Sequence, residues 1–282
     1  MPSRIFAPGL LDGQVIVLTG GGTGLGRATA LELTALGARV VVVGRRAEPL
    51  EETAALCEGS LCEARVCDIR EEDQVHALVD AVLERHGRID TLVNNAGGQY
   101  MTPAEDISLK GFETVVRLNL VGTWLMTHAV ATKSMIPGGG GKVISVTLSP
   151  HHGLPGMAHS SAARAAVENL TRVLSIEWAR HQIRLTALAA GHFETDAIQK
   201  YPQPVRENVA RTVPLQRMGR PEEHAWLVAY LASPAGDYYS GTVITLDGAR
   251  DNWFGPWPPP NLVDAETGKP VAEERRPKRP PG

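Results

Sequence analysis

The 282-residue chain is expected to fold as an α/β protein, a single doubly wound parallel sheet with helices on both faces. Three observations predict this. Short β-branched runs alternate with stretches of helical length along most of the chain. The first such run leads directly into a glycine-rich turn, Gly20-Gly21-Gly22-Thr23-Gly24-Leu25-Gly26. The composition, 43% hydrophobic and 21% charged, fits one large buried core rather than two small ones.

The elements follow in order. Gln14-Val15-Ile16-Val17-Leu18-Thr19 reads as a buried first strand, and a helix opening near Gly24 runs to the stop signal Gly37. Strands are expected at 39–43, 64–68 and 90–93, with helices over roughly 47–57 and 71–86 between them. A long helix near 110–135, a strand at 142–147, a helix at 159–181 and a strand at 183–188 come next. A helix at 221–232 and a strand at 242–246 close the pattern. Residues 1–250 thus form one domain. Residues 251–282 differ in kind: Trp253-Phe254-Gly255-Pro256-Trp257-Pro258-Pro259-Pro260 cannot continue a helix or a central strand, so an extended Pro/Trp-rich arm with a disordered tip is expected. Its aromatic residues have three open destinations: the chain's own surface, a neighbouring subunit, or the mouth of a substrate cleft.

Composition excludes several classes. A net charge of -3 gives no reason to expect nucleic acid or a membrane surface as partner. The start, MPSRIFAPGLLDGQ, lacks the apolar core of a signal peptide, no run approaches a membrane span, and the end carries no peroxisomal tripeptide, so a cytoplasmic location is the expectation. Cys57, Cys62 and Cys67 match no metal spacing, and neither a metal site nor other chemistry is assigned to them.

The glycine turn is where chemistry begins. Glycines let the backbone turn sharply and approach a pyrophosphate, while the following helix offers unpaired N–H groups and a positive dipole end. Gly20, Thr23, Gly24, Leu25 and Gly26 are therefore candidate cofactor contacts. An acidic residue at the end of the second strand would bind a ribose 2′-hydroxyl and exclude a phosphate. Gly44 stands there instead, followed by Arg45 and Arg46, whose guanidinium groups favour the 2′-phosphate of NADPH over NADH.

With Thr19-Gly20-Gly21-Gly22-Thr23-Gly24-Leu25-Gly26 at its start, the chain resembles the short-chain dehydrogenase/reductase family through about residues 12–250. The resemblance implies a Rossmann fold and places Asp68 and Ile69 at the adenine ring. It aligns Asn94-Asn95-Ala96-Gly97 with the motif after the fourth strand, which makes Asn95, Ala96 and Gly97 cofactor candidates. Asn119 matches the helix asparagine of the catalytic tetrad, and Gly191 and Thr195 match positions beside the nicotinamide. The family also implies a homotetramer, with the 159–181 and 221–232 helices packing across dimer axes.

The departures from that family cluster at one site. Its catalytic serine would lie near Leu148, flanked by Thr147 and Ser149; its tyrosine aligns with Ser160 and its lysine with Arg164. On a helix those last two share a face. A serine hydroxyl is a poor acid and an arginine stays charged, so ketone reduction through a phenolic proton is not expected. General acid catalysis contributes about 10²–10⁴-fold, so its loss must be offset or the reaction must change. An α,β-unsaturated thioester suits the remaining parts: hydride added at the β-carbon leaves an enolate whose oxygen needs hydrogen-bond donors more than an acid. Ser160, Thr147 and Ser149 are candidate donors, Asn119 acts structurally, Arg164 clamps the ribose, and water or one of His151, His152 and His159 protonates the α-carbon.

Asn94 to Tyr100, Pro103-Ala104-Glu105 and His159 to Arg164 are similar to the enoyl-CoA and 2,4-dienoyl-CoA reductase branch of the family. The dienoyl enzymes keep the lysine and use a tyrosine eleven residues before the serine; Ser149 stands there, so the chain is more similar to the enoyl side of the branch and its proton donor is unassigned. Lys200, Arg206, Arg211, Arg217 and Arg220 populate a lid region and could meet coenzyme A phosphates, or simply form a solvated face. Two other readings stay open: a dinucleotide-holding subunit without turnover, and a carbonyl reductase with a rebuilt acid such as His151 or His152.

Overall fold

A computed structural model of the chain describes residues 3–149, 151–196, 198 and 209–253. Strand β1 (Val15–Thr19) passes through the glycine turn into α1 (Gly24–Ala35), followed by β2 (Arg39–Gly44), α2 (Ala47–Leu56), β3 (Cys62–Val66), α3 (Glu72–His86) and β4 (Thr91–Asn94). Next come α4 (Leu109–Val116), α5 (Gly122–Val130), α6 (Ile136–Gly138), β5 (Gly141–Leu148), α7 (Ala158–Glu177), β6 (Ile183–Ala190), α8 (Pro221–Ala232) and β7 (Thr242–Leu246). The strands form one seven-stranded sheet in the order β3-β2-β1-β4-β5-β6-β7, and every pairing is parallel.

Side-chain alternation along the strands divides the core in two. Val15 and Val17 of β1 and Val41 and Val43 of β2 join α3, α5 and α7 residues such as Val79, Met126 and Leu174 on one face. Ile16, Leu18, Val40 and Val42 turn to the other face and meet Leu33 of α1 and Val228 of α8. Both faces are covered, which is why the central strands carry no polar alternation.

Three boundaries differ from expectation. Strand β3 lies two residues earlier than 64–68, because its pairing runs from Val40↔Cys62 to Gly44↔Val66. It is an edge strand, and its Glu63 and Arg65 hide its start from a hydrophobicity reading. The helix expected at 110–135 spans α4 to α6 and is interrupted by π turns at Arg117–Val121 and Ala131–Met135. Helix α7 ends at Glu177, and the rest of its expected length is a 3₁₀ turn, Ala179–His181.

The 3₁₀ turn Arg250–Asn252 crosses the expected domain boundary, and its middle residue bonds to His151, so the chain is packed with the sheet at least to Asp251. The arm from Phe254 to Gly282 lies outside the described residues. Among the described residues no helix is long and apolar enough to cross a membrane.

Candidate active site

The strand order reverses between β1 and β4, and the crevice beyond their C-terminal ends is where an open α/β sheet binds ligands. A cavity of about 270 Å³ opens there, lined by Gly20, Gly22, Thr23, Gly44, Arg45, Arg46, Asp68, Ile69, Ala96 and Gly97 among others. Gly20 and Gly24 hold φ values of +67° and +53°. A Cβ on Gly26 would sit 2.1 Å from the Gly20 carbonyl oxygen, so only glycine lets the turn close onto α1. Thr19 and Asn95 lock this turn to β4: the Thr19 hydroxyl accepts from the Asn95 and Ala96 N–H groups, and the Asn95 amide donates to the Thr19 and Gly20 carbonyls. Arg27 braces the same turn from behind by donating to the Gly22 carbonyl at 2.8 Å.

These residues fit a nicotinamide dinucleotide. The turn leaves room for a pyrophosphate, Thr23 at the N-cap of α1 lines the cavity, and two exposed arginines stand where a 2′-phosphate would lie. Asp68 is drawn to Arg70 by a 2.5 Å ion pair. That hydrogen bond is the main cause holding its carboxyl below the usual range, with a further contribution from the charge of Arg45.

A second, larger cavity of about 410 Å³ adjoins the first across α1. Leu25, Leu148, Leu154, Met157, Phe193 and Ile198 make most of it apolar, and Gln99, Ser149, His192, Thr195, Thr212 and Arg250 are its polar groups. Gly191 and Thr195 lie here rather than in the first cavity, with the Thr195 side chain against Gly24.

The expected catalytic residues are divided by this geometry. Asn119 occupies the π turn between α4 and α5, fully buried, where its amide donates to the Gly98 carbonyl and accepts from the Gly98 N–H at 3.1 and 3.0 Å. Leu148 lines the cavity at the place of the family's serine. Ser160 does not reach the cavity: its hydroxyl is buried and donates to Gln99 Oε1 at 2.7 Å, so Gln99 is the wall and Ser160 stands behind it. A serine side chain ends one bond from its Cβ, too short to cross the space a phenol would span.

Thr147 is likewise buried, donating to Glu168 Oε1 at 2.8 Å, and does not line the cavity. Ser149 does line it, with its hydroxyl given to the Asp247 carboxylate. Arg164 is buried beneath Gly97, donating to the Val146 carbonyl at 2.8 Å and more weakly to Ala96, and burial lowers its pKa to about 10.

Residues 20–249 match the protein family described as enoyl-(acyl carrier protein) reductase. A probable 2,4-dienoyl-CoA reductase of Bacillus subtilis (strain 168) is 34% identical over 88% of this chain and 100% of its own. The peroxisomal 2,4-dienoyl-CoA reductase of Rattus norvegicus is 35% identical over 87% of this chain and 86% of its own. Among solved structures, the citronellol catabolism dehydrogenase of Pseudomonas aeruginosa PAO1 superimposes with a TM-score of 0.78 at 43% identity, covering 88% of this chain and 98% of that one. This chain belongs to the short-chain dehydrogenase/reductase family.

As a short-chain dehydrogenase/reductase it carries a charged network at the cleft rim that the sequence did not announce. His151 Nδ1 lies 2.5 Å from Asp251 and its Nε2 lies 3.0 Å from Glu168, while His152 Nδ1 is 3.2 Å from Asp251. Desolvation works to lower the His151 pKa, but the Asp251 hydrogen bond and the two carboxylate charges outweigh it and the net shift is upward. His159 is buried edge-on against Tyr100, and desolvation lowers its pKa. His192 is pushed down to about 4, by desolvation first and then by the Arg250 charge.

In the lid region Arg217 is paired with Glu223 at 2.7 Å and Arg220 stacks over Trp226; Lys200 and Arg206 lie outside the described residues. Gln99, Glu168, Asp247, Arg250 and Asp251 were not singled out by sequence. The run Asp247-Gly248-Ala249-Arg250-Asp251 immediately after the last strand was the available signal, since charged residues at strand C-terminal ends border the crevice of this fold.

Proposed function

We propose that this protein is an NADPH-dependent reductase of an activated carbon–carbon double bond, with a 2-enoyl thioester as substrate. One observation carries the reading. The second cavity is largely apolar, and the family's proton-donating positions around it hold Leu148, a buried Ser160 and a buried Arg164. His192 on its wall is neutral at ordinary pH because its pKa lies near 4, and Arg250 beside it stays charged. Among the described residues, a ketone's developing alkoxide would find no acid of matched pKa there. A conjugated thioester needs none at its oxygen, because its enolate is stabilised by donors and takes its proton at carbon.

When bound, NADPH supplies the hydride. The chain's own residues then have separable tasks. Arg45 and Arg46 select the 2′-phosphate, and Gly20 to Gly26 admit the pyrophosphate. Arg164 joins the end of β5 to the Ala96 loop and has N–H donors remaining on the same planar group for the ribose. Asn119 fixes Gly98 from both sides, and Ser160 fixes the neighbouring Gln99, so the wall beside the reacting carbons is held rigidly. Leu148 and Met157 give the acyl chain an apolar wall. The 2,4-dienoyl-CoA reductases among its relatives support an acyl-thioester substrate.

The carbonyl-reductase reading would assign the acid to His151, yet that ring does not line the cavity and both its nitrogens are engaged by carboxylates. We also propose a homotetramer: Val173 and Ile176 of α7 and Leu109 of α4 are exposed apolar side chains that such contacts would cover, and a monomer in solution at micromolar concentration would contradict it. The activity is tested by following NADPH absorbance with crotonyl-CoA, longer enoyl-CoA and ketoacyl-CoA. Oxidation with the enoyl members is expected; oxidation with ketoacyl-CoA alone, or tight NADPH binding with no turnover, would overturn the reading.

A further inference from the structure

Among the described residues, one cation lies in the wall of the largely apolar cavity. Arg250 is half-buried and lines the 410 Å³ cavity together with Leu25, Met157 and Phe193. Its guanidinium donates to His192 Nδ1 at 2.8 Å, a neutral partner. Among the described residues no carboxylate forms an ion pair with it, for the nearby Asp247 carboxylate accepts instead from the Ser149 hydroxyl and the Asp251 N–H. Burying a cation beside apolar side chains is costly, and burial lowers the pKa of this group, while the charge of nearby Asp247 acts in the opposite direction without an ion pair to it.

The backbone is bent to put it there. Gly248 and Ala249 hold successive φ values of +67° and +71°, and an alanine in that region is strained. The turn sends neighbouring side chains to opposite sides: Asp251 goes outward to His151 and His152, while Arg250 goes inward to the cavity.

We propose that Arg250, steadied by its hydrogen bond to His192, is the subsite for the thioester carbonyl oxygen of the substrate, with the acyl chain lying against the apolar side chains of the cavity. This rests on the reductase reading and names the group that makes it work. As a hydride from the reduced nicotinamide bonds to the β-carbon, the electron pair of the double bond moves to the α-carbon and carbonyl oxygen. That oxygen acquires negative charge facing the Arg250 guanidinium, and a proton from solvent then reaches the α-carbon, leaving a saturated thioester and oxidised nicotinamide. The guanidinium is a permanent donor rather than an acid, which matches a site whose phenol has been replaced.

The test uses the full chain with Arg250→Met and Arg250→Lys, after NADPH binding and melting temperature show that each variant folds. Enoyl-CoA turnover by Arg250→Met is expected to fall about 100-fold in kcat with little change in KM, the pattern of a lost oxyanion donor, with partial recovery in Arg250→Lys. A second readout needs no turnover. Octanoate, a stable oxyanion on an apolar chain, should bind the NADP⁺-saturated wild type about tenfold or more tightly than Arg250→Met, whereas octanol binds both alike.

Arg250→Met with wild-type kcat would overturn the subsite while leaving the reductase reading intact. Equal octanoate affinity in wild type and Arg250→Met would overturn it as well. Arginine-dependent octanoate binding by a protein inert toward every enoyl thioester would uphold the anion subsite and reject the reductase reading.

Discussion

The two cavities flanking α1 are built by different means. The first is made mostly of backbone and of residues at the ends of β1, β2 and β4, each next to a recognisable sequence motif. The second is assembled from side chains of segments as distant as Leu25, Gln99, Leu148, His192 and Arg250, and its function depends on how they meet. The first tolerates little change because a turn of fixed geometry must accept a phosphate. The second is largely apolar, with Arg250 among its few polar groups.

The largest effect should fall on the first cavity. Gly26→Ala places a methyl 2.1 Å from the Gly20 carbonyl oxygen, so the turn must open; NADPH affinity is expected to fall about 100-fold or more, with a lower melting temperature, while Gly138→Ala, whose Cβ meets nothing within 4 Å, leaves NADPH binding alone. Cofactor choice comes next. Arg45→Ala should weaken NADPH by about ten- to a hundredfold through loss of a charge-assisted bond and leave NADH unchanged. Equal losses for both cofactors would remove the distinction drawn for the 2′-phosphate.

The rim network of the second cavity should appear as pH dependence. Because the folded pKa of His151 is raised above its unfolded value near 6.5, its contribution to stability is fully present below that pH and is lost as pH rises through the folded pKa. Asp251, whose folded pKa is lowered despite desolvation because of its bonds to His151, contributes above about 3.8 and loses that contribution as pH falls further. The melting-temperature gap between wild type and His151→Asn should therefore be widest between these limits and narrow at alkaline pH. A gap that grew above pH 8 or so would contradict the network's assignment. The smallest effect is expected for Ser160→Ala, about two- to tenfold in kcat, because only a neutral hydrogen bond to Gln99 and a long one from the Asn119 amide are lost and no donor is taken from the cavity.

The same contrast explains how much could be read without the structure. The fold and all seven strands were legible because they rest on periodicity; of the first cavity's lining, Gly20, Thr23, Arg45 and Arg46 were legible from their distance to strand ends and Asp68, Ile69, Ala96 and Gly97 from the family resemblance, whereas Pro49, Leu50, Cys67 and Leu118 carried no such signal. The departure from the family at Ser160 and Arg164 was legible too. Their orientation was not: whether Ser160 faces the substrate or stands behind Gln99 depends on side-chain length and on the course of the 96–102 loop, neither of which has a period. Thr147 was placed near the chemistry by its strand, yet the alternation along β5 turns it toward Glu168. Arg250 escaped notice because it falls where the last strand gives way to the arm, and only a strained turn at Ala249 directs it inward.

The central claim is that the second cavity reduces a double bond rather than a carbonyl. The most direct test offers the NADPH complex a medium-chain trans-2-enoyl-CoA and the 3-ketoacyl-CoA of the same length, and measures kcat/KM for each. The account predicts that the enoyl thioester is reduced at least about 100-fold more efficiently, since the missing acid penalises the ketone alone. Equal or preferential reduction of the ketoacyl thioester would contradict it.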